Sequence, residues 1–426
     1  MHVLYNLLTY LLLIPFLAFW LIRGLGNRTY LDRLGQRFGF GLPRLERSIW
    51  VHAVSVGEVQ AAAPLVRSLA ERFPEHEILV TTVTPTGAAR VRALFGDTVT
   101  HAYVPFEFPH AVKALFRRCN PSVALVMETE IWPNLYRGCG VRGIPLILVS
   151  ARISPKSVPG YRKLLPLIRE TLSHGIIIAS QSKQDAERFL ALGANPARTH
   201  IMGNIKFDMH HDEGVVTRGR AERARLFGDR PVWIAASTHQ GEEEIVLDVH
   251  EALRARHDEL LLVLVPRHPE RFAAVRELVR QRGFSLVSRT EERPAGDAAV
   301  FLCDTMGEVP LFYAASDVAF VAGSLVPIGG HNLLEPAALG VPIVTGPYNF
   351  NAQDIADLFI DMGACVRVAG PDELVEAISR LLTNPDEATR IGRAGQRVLE
   401  ENRGALQRLL VLLEPLLASD DAQRQA

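Results

Sequence analysis

The chain has 426 residues, of which 48% are hydrophobic and 22% are charged. That length suffices for two compact domains of roughly 200 residues each. The formal net charge is −1, so no overall field attracts nucleic acid and we expect no nucleic-acid partner. The four cysteines lack the paired spacing of zinc or redox sites, which is typical of a reducing compartment.

An uncharged apolar stretch lies near the start of the sequence, over residues 3–22: VLYNLLTYLLLIPFLAFWLI. Because a helix needs about 20 apolar residues to cross a bilayer, we predict a single-pass transmembrane anchor there. Basic residues remain on the cytoplasmic side of a membrane, which predicts a cytoplasmic body after the anchor. The basic residues concerned are Arg23, Arg28, Arg33 and Arg37. The alternative is a helix that lies in the membrane interface and kinks at Pro15.

Beyond the anchor, short apolar runs such as EILVTTV and IPLILVS alternate with segments of helical periodicity such as EVQAAAPLVRSLAERF. This alternation predicts parallel sheets that are covered by helices on both faces. The pattern breaks in a polar segment and restarts with VWIAAST. We therefore predict a first domain over 23–206, a linker over 207–230 and a second domain over 231–426.

A glycine-rich segment in the second predicted domain has the pattern of a nucleotide site. GSLVPIGGHNLLEP, residues 323–336, leaves a strand-like run and enters a helix near Asn332. Glycines let backbone approach a phosphate, and free amides at a helix start favour an anion. Glu335 would lie in the first turn, where it could accept hydrogen bonds from ribose hydroxyls. The alternative is an ordinary helix start that Asn332 caps, with no ligand.

Two further polar segments follow strand-like runs of the same domain. VPRHPER, residues 265–271, places Arg267 where it could pair with a phosphate. DTMGE, residues 304–308, offers backbone groups and the carboxylate of Glu308. Because the carboxyl ends of parallel strands meet at one edge of a sheet, we expect all three segments to converge on one nucleotide.

These segments and several others resemble one family, the Kdo (3-deoxy-D-manno-octulosonic acid) transferases of bacterial lipopolysaccharide biosynthesis. The matching blocks, in chain order, are HAVSVGEV, VTTVTPTG, METEIWPN, GNIKFD, PVWIAASTHQGEE, LVPRHPERF, DTMGE and GGHNLLEP. The resemblance implies a GT-B fold, with two Rossmann-like domains facing across a cleft. It also implies transfer of Kdo from CMP-Kdo to a lipid A precursor, lipid IVA, at the inner membrane, with the acceptor held by the first domain.

The same resemblance implies roles for individual residues. Glu58 corresponds to the proton acceptor, and Glu128 and Lys206 correspond to stabilisers of the transition state. The positions that correspond to the CMP site are Pro266, Arg267, Met306, Gly307, Glu308, Asn332, Leu333, Leu334 and Glu335.

The chemistry of glycosyl transfer accounts for these residue types. A sugar hydroxyl is a weak nucleophile, so a nearby carboxylate such as Glu58 should remove its proton during attack. The alternative for Glu58 is a helix-start glutamate that complements the macrodipole. Lys206 could meet the phosphate or the Kdo carboxylate, or be a solvated lysine between the domains. Sequence does not decide whether Glu128 or Glu130 is the functional acid of its loop.

No Asp-x-Asp motif and no metal-ligand spacing of His or Cys occurs, so we expect a metal-independent enzyme without a cofactor. Basic residues lie among Leu and Ile over 151–170, which favours docking to anionic inner-membrane lipids over a merely solvated helix face. Two other functions stay open: an enzyme acting on a UDP-sugar, and a membrane-tethered nucleotide-sugar-binding scaffold. Sequence leaves the number of Kdo units, the acyl-chain requirement and the oligomeric state open.

Overall fold

A computed structural model describes residues 1–208 and 214–425, which form two compact units. The first comprises the described residues within Met1–Met209 and Asn402–Ala426, and the second those within His210–Glu401. The second domain was predicted to run to residue 426, whereas the final helix, Ala405–Gln425, belongs to the first unit. Leu409 and Leu413 of that helix are buried in the first unit's core. The Asp208 carboxylate accepts hydrogen bonds from the backbone N–H of Gly404 (2.6 Å) and Leu406 (2.7 Å) just before and within it.

The first unit contains a seven-stranded parallel sheet in the order β3-β2-β1-β4-β5-β6-β7. Its strands are β1 (Ser48–His52), β2 (Glu77–Thr82), β3 (Thr100–Tyr103), β4 (Pro121–Met127), β5 (Leu146–Ala151), β6 (Ile177–Ser180) and β7 (Thr199–Ile201). Every residue of β4 is buried, as expected for a parallel strand with helices on both faces. Successive side chains of β1 point to opposite faces of the sheet. Ile49 and Val51 are buried in the hydrophobic core on one face, and Trp50 is buried in the core on the other face.

Helices cover both faces of this sheet. The helices of this unit before the final one are α1 (His2–Leu11), α2 (Leu13–Gly26), α3 (Leu34–Arg37), α4 (Val56–Arg72), α5 (Pro85–Phe95), α6 (Pro109–Cys119), α7 (Pro133–Gly140), α8 (Val158–Lys163), α9 (Leu165–Leu172) and α10 (Lys183–Ala191). One core joins α4 and the final helix to the sheet, and the other joins α6, α7, α9 and α10.

The predicted anchor segment forms two helices instead of one. Helices α1 and α2 meet at an angle of 50°. The proline ring of Pro15 cannot coexist with a helical carbonyl at Leu11, four residues earlier, which explains why α1 ends there. Among the described residues no single helix is long and apolar enough to cross a membrane, although this bent pair together meets the length and composition. The single transmembrane helix predicted over 3–22 is therefore not confirmed.

The second unit has its own seven-stranded parallel sheet, in the order β10-β11-β9-β8-β12-β13-β14. Its strands are β8 (Val232–Thr238), β9 (Leu261–Pro266), β10 (Leu286–Ser288), β11 (Val300–Leu302), β12 (Val318–Val321), β13 (Ile343–Thr345) and β14 (Cys365–Arg367). Trp233 and Ile234, adjacent in β8, point into the cores on opposite faces. The prediction of two α/β units with parallel sheets is confirmed.

The helices of the second unit are α11 (Val215–Leu226), α12 (Glu242–Arg254), α13 (Phe272–Gln281), α14 (Val309–Ala314), α15 (Leu334–Ala338), α16 (Gln353–Asp361), α17 (Pro371–Thr383) and α18 (Pro385–Asn402). The final helix of the chain is α19. Helix α11 lies within the segment predicted as a linker over 207–230. It packs against α14 through Gly219, where an added Cβ would overlap the Cβ of Ala314. Residues 209–213 of the predicted linker lie outside the described residues.

Candidate active site

In the first unit, three predicted site residues lie beyond the carboxyl ends of sheet strands. Glu58 is in the first turn of α4, which follows β1, and Glu128 follows β4 directly. Lys206 lies in a short 3-10 turn after β7. The Lys206 Nζ donates to Glu128 Oε1 at 2.7 Å. The structure therefore brings Glu128 and Lys206 into an ion pair.

Glu58 is held by the start of its own helix. Ser55 is the N-cap of α4, and its hydroxyl oxygen accepts from the Glu58 N–H at 3.4 Å. In return, Glu58 Oε2 accepts from the Val54 N–H at 2.7 Å, and Oε1 accepts from the Ser55 hydroxyl at 3.3 Å. The helix-start role that the sequence left open for Glu58 is thus present. It also fixes the direction of the carboxylate, as a base requires.

The environment of Glu58 disfavours its charged form. Burial raises the pKa of this carboxyl to about 7, and the negative charges of Glu128 and Glu130 add to the rise against the hydrogen bond from Val54. A base works best when its pKa lies near the working pH. Glu58 therefore has the pKa expected of a catalytic base.

We expect the rate to follow the ionisation of Glu58. Only the carboxylate can accept a proton, so kcat/KM for the acceptor should rise as pH increases through about 7 and then level off. The measurement is the pH profile of kcat/KM at saturating donor. A profile that is flat between pH 6 and pH 8 would contradict the assignment of Glu58.

Glu128 has an unusual backbone conformation at the end of β4. Its φ of +55° lies in the left-handed region, which non-glycine residues seldom adopt. The Glu128 N–H donates to the Val149 carbonyl at 2.9 Å, which holds this conformation. Such strain is found at functional sites more often than elsewhere.

Glu130 has partners other than Lys206. Its Oε2 accepts from the Trp132 indole N–H at 2.7 Å, and its backbone carbonyl accepts from the Tyr136 hydroxyl at 2.8 Å. Burial raises the pKa of Glu130. These contacts orient Trp132, so the geometry favours Glu128 over Glu130 as the acid that contributes charge to the site.

In the second unit, the predicted CMP residues lie at or after the ends of β9, β11 and β12, which fall within the central run β11-β9-β8-β12 of the sheet. Pro266 ends β9, and the Arg267 N–H donates to the Thr238 carbonyl at 3.0 Å. No side-chain partner of the Arg267 guanidinium occurs among the described residues. Its donors are available to a ligand.

Several polar groups predicted to face the nucleotide are used within the protein. The buried Glu242 carboxylate accepts from the N–H groups of Gly323 (2.7 Å), Ser324 (3.1 Å) and Leu325 (3.0 Å). The Gly329 and Gly330 amides donate to the Gly323 carbonyl. These amides of the glycine-rich loop are therefore already hydrogen-bonded within the protein and stabilise the shape of the loop. The sequence could not show this, because Glu242 is about 80 residues away from the loop.

The start of α15 and the 304–308 segment also differ in detail from the prediction. Helix α15 begins at Leu334 with Leu333 as its N-cap, and Asn332 Oδ1, one residue before the cap, accepts the Leu334 N–H at 3.1 Å. Asn332 Nδ2 also donates to Glu335 Oε1 at 3.2 Å. Arg289 binds the Glu308 carboxylate through Nε and Nη2, at 2.8 Å for the closest contact. Met306 and Gly307 keep amides with no acceptor among the described residues.

Comparison with known proteins identifies the family. A family model described as 3-Deoxy-D-manno-octulosonic-acid transferase (kdotransferase) matches residues 32–209, and one for Glycosyl transferases group 1 matches residues 230–398. The 3-deoxy-D-manno-octulosonic acid transferase of Haemophilus influenzae is 43% identical over 91% of this chain and 92% of its own. The chain belongs to the Kdo transferase family.

Other comparisons agree with this assignment. The 3-deoxy-D-manno-octulosonic acid transferase of Bordetella pertussis is 36% identical over 88% of each chain. The UDP-GlcNAc 2-epimerase of Neisseria meningitidis has the same fold, with a TM-score of 0.54 over 83% of this chain and 98% of that one, at 14% identity. The protein is thus a glycosyltransferase of lipopolysaccharide biosynthesis with a two-domain fold of the GT-B type.

Proposed function

We propose that this Kdo transferase moves Kdo from CMP-Kdo to lipid IVA, a tetraacyldisaccharide bisphosphate, and releases CMP. This is an early inner-core step of lipopolysaccharide biosynthesis. The observation that carries the proposal is the Glu58 carboxylate, which the start of α4 holds in place and whose pKa burial raises, in the same unit as the Glu128–Lys206 ion pair. The identification of Kdo as the transferred sugar rests on membership of the Kdo transferase family.

The chemistry assigns each group one role. The acceptor hydroxyl attacks the anomeric carbon of Kdo, and its proton passes to Glu58. The bond between that carbon and the phosphate oxygen breaks, and the electron pair leaves with CMP. Positive charge grows on the sugar while negative charge grows on the phosphate, so fixed charges of both signs, Glu128 and Lys206, stabilise the transition state.

The donor site in this proposal comprises the predicted CMP residues, with Arg267 on the phosphate. Replacing Arg267 with Ala should weaken CMP binding by about 10- to 100-fold, the loss expected for a hydrogen bond to a charged group. Calorimetric titration measures it. The matched control is Arg280→Ala, an exposed arginine on α13. Equal CMP affinity in the two variants would remove Arg267 from the phosphate site.

The choice of CMP over UDP has its own test. A ligand that binds only the folded protein raises its melting temperature in proportion to the logarithm of concentration over Kd. CMP should raise the melting temperature at concentrations where UDP does not. A rise with UDP alone would favour the alternative enzyme that uses a UDP-sugar, and CMP binding without turnover of CMP-Kdo would favour the scaffold.

For the acceptor, we propose that α1 and α2 hold the enzyme at the cytoplasmic side of the bacterial inner membrane. Trp20 of α2 packs with Phe106, Phe108 and Ala111, so one side of the pair lies on the first unit. Exposed apolar side chains cover the rest: Val3, Leu4, Leu7, Leu8, Leu11, Leu12, Ile14, Phe16, Phe19, Leu21, Ile22 and Leu25. Exposed Lys156, Arg162, Lys163 and Arg169 supply charge for anionic lipids.

Introducing charge on this apolar face should weaken membrane binding without unfolding the protein. Ile14 and Ile22 are 78% and 68% exposed, so a double change to Asp removes little internal packing. We expect the variant to sediment less with anionic vesicles than the wild type. The matched control is Val411→Asp, at a site 56% exposed on α19. Equal sedimentation of all three proteins would contradict the membrane role of this face.

A further inference from the structure

Three imidazole rings lie beyond the ends of three neighbouring strands in the second unit. His268 follows β9, His239 follows β8 and His331 follows β12. The rings of His239 and His331 are stacked, with centroids 5.1 Å apart and planes at 4°. The His268 ring centroid is 5.5 Å from that of His239. We call these three residues the histidine cluster. No role was predicted for any of them, although each lies in a quoted block.

The contact within the stacked pair is a hydrogen bond. The Nε2 atoms of His239 and His331 are 2.8 Å apart, so one ring must donate a proton and the other must accept it. Gly323 permits this close approach, because an added Cβ there would lie 2.8 Å from Cδ2 of His331. Among the described residues no group of three or more His, Cys, Asp or Glu side chains is placed to hold a metal ion. The ring that accepts the hydrogen bond can bind a further proton, as any neutral imidazole can.

The charges that face the cluster are positive. Burial lowers the pKa of His331 to about 3, helped by His239, Arg267 and His268. Burial also lowers the pKa of His239, helped by His268, Arg267 and Arg271. Three carboxylates of the adjoining segments are occupied: that of Glu242 by backbone amides, that of Glu243 by Arg271 at 3.1 Å for both oxygens, and that of Glu335 by Asn332. Glu244, in the same turn of α12 as Glu242, has one buried carboxylate oxygen without a hydrogen-bond partner among the described residues. With both pKa values lowered, the pair is neutral at pH 7.

The following inference rests on the proposed donor, CMP-Kdo. We propose that the histidine cluster and Arg267 bind the phosphate of CMP-Kdo, and that the His239–His331 pair takes up a proton when this phosphate binds. An anion beside an imidazole favours its charged form, which reverses the effect of the arginines. When the bond from Kdo to the phosphate oxygen breaks, the phosphate gains a second negative charge. The protonated pair then stabilises that charge, while the acceptor proton goes to Glu58.

The test is calorimetric titration of the full-length protein with CMP near pH 7, in buffers of different ionisation enthalpy. The dependence of the measured enthalpy on the buffer gives the protons taken up per CMP bound. We expect net uptake by the wild type, and tighter binding as pH falls toward about 6. Free CMP carries a phosphate whose second ionisation has a pKa near 6. If the site bound only the dianion of this phosphate, CMP binding would release protons to the solution, which is the opposite sign.

Substitution assigns the proton to the pair. His239→Asn and His331→Asn should lose the uptake and bind CMP about 10- to 100-fold more weakly. The matched control is His257→Asn, which removes a histidine that contacts Ser379 at 2.9 Å outside the cluster. It should keep wild-type uptake and affinity. Melting curves show whether each variant is folded, and the wild-type measurement needs no variant.

The outcomes separate this inference from the proposed function. CMP binding by the wild type without proton uptake would overturn the inference and leave the donor assignment intact. Uptake and affinity that survive in both folded Asn variants would do the same. Absence of CMP binding by the folded wild type would overturn both.

Discussion

Glu58→Gln should lower kcat by about 10²–10⁴-fold, the usual contribution of a positioned general base. The amide oxygen of Gln can still accept the Val54 N–H bond that Glu58 makes at 2.7 Å, so the start of α4 should keep its shape. Only the ability to take a proton is lost. CMP affinity should stay close to that of the wild type, since Glu58 belongs to the first unit. Steady-state rates with saturating CMP-Kdo and acceptor, together with CMP titration, measure both quantities.

The control for this change is Glu71→Gln, which alters an exposed glutamate of the same helix. It should leave kcat unchanged. A Glu58→Gln variant that keeps more than about a tenth of the wild-type rate would reject Glu58 as the base. A melting temperature well below that of the wild type would instead show that the capping role of Glu58 dominates.

Lys206→Met should lower kcat by about 10²–10³-fold, the loss typical of one preorganised charge in a transition-state site. It also leaves the Glu128 carboxylate without the ammonium that lies 2.7 Å away. An unpaired negative charge near Glu58 raises the pKa of Glu58 further above 7, so the acid limb of the pH profile should move to higher pH. Lys183→Met, at an exposed lysine on α10, is the matched control.

The double variant Lys206→Met with Glu128→Gln separates the two effects of this lysine. With both charges gone, the acid limb should return to pH 7 or below, while kcat stays low because the fixed charges are lost. A wild-type rate in Lys206→Met would remove the ion pair from the transition state. A pH profile that does not move in the single variant would contradict the coupling between Glu128 and Glu58.

The parallel sheets could be predicted because their strands are nearly continuous apolar runs that alternate with amphipathic helices. Two features at the ends of the chain could not. The apolar face of α19 shows that the helix is buried but not against which sheet, and its contacts with Asp208 depend on residues about 200 positions away. The bend near Leu12 follows from Pro15, but the sequence suggested a kink at the proline itself and the break lies before it.

The positions of the site residues were predictable to the level of strand ends. Glu58, Glu128 and Arg267 all lie where the apolar runs predict a carboxyl edge. Which groups are free there was not predictable, because hydrogen bonds across the sheet decide it. The Glu242 carboxylate accepts hydrogen bonds from amides of the glycine-rich loop, and the Arg289 guanidinium donates to the Glu308 carboxylate. The stacked His239 and His331 are 92 positions apart, so their contact also depends on the fold.

The measurement that tests the central claim most directly is mass spectrometry of the lipid formed from CMP-Kdo and lipid IVA. The account predicts product masses that exceed the acceptor by one or more whole Kdo units, with CMP released in equal amount and product formed about 10²–10⁴-fold more slowly by Glu58→Gln. The series of masses would also give the number of units transferred. An acceptor mass that is unchanged by the folded wild-type enzyme, or one raised by a sugar supplied as its UDP derivative, would contradict it.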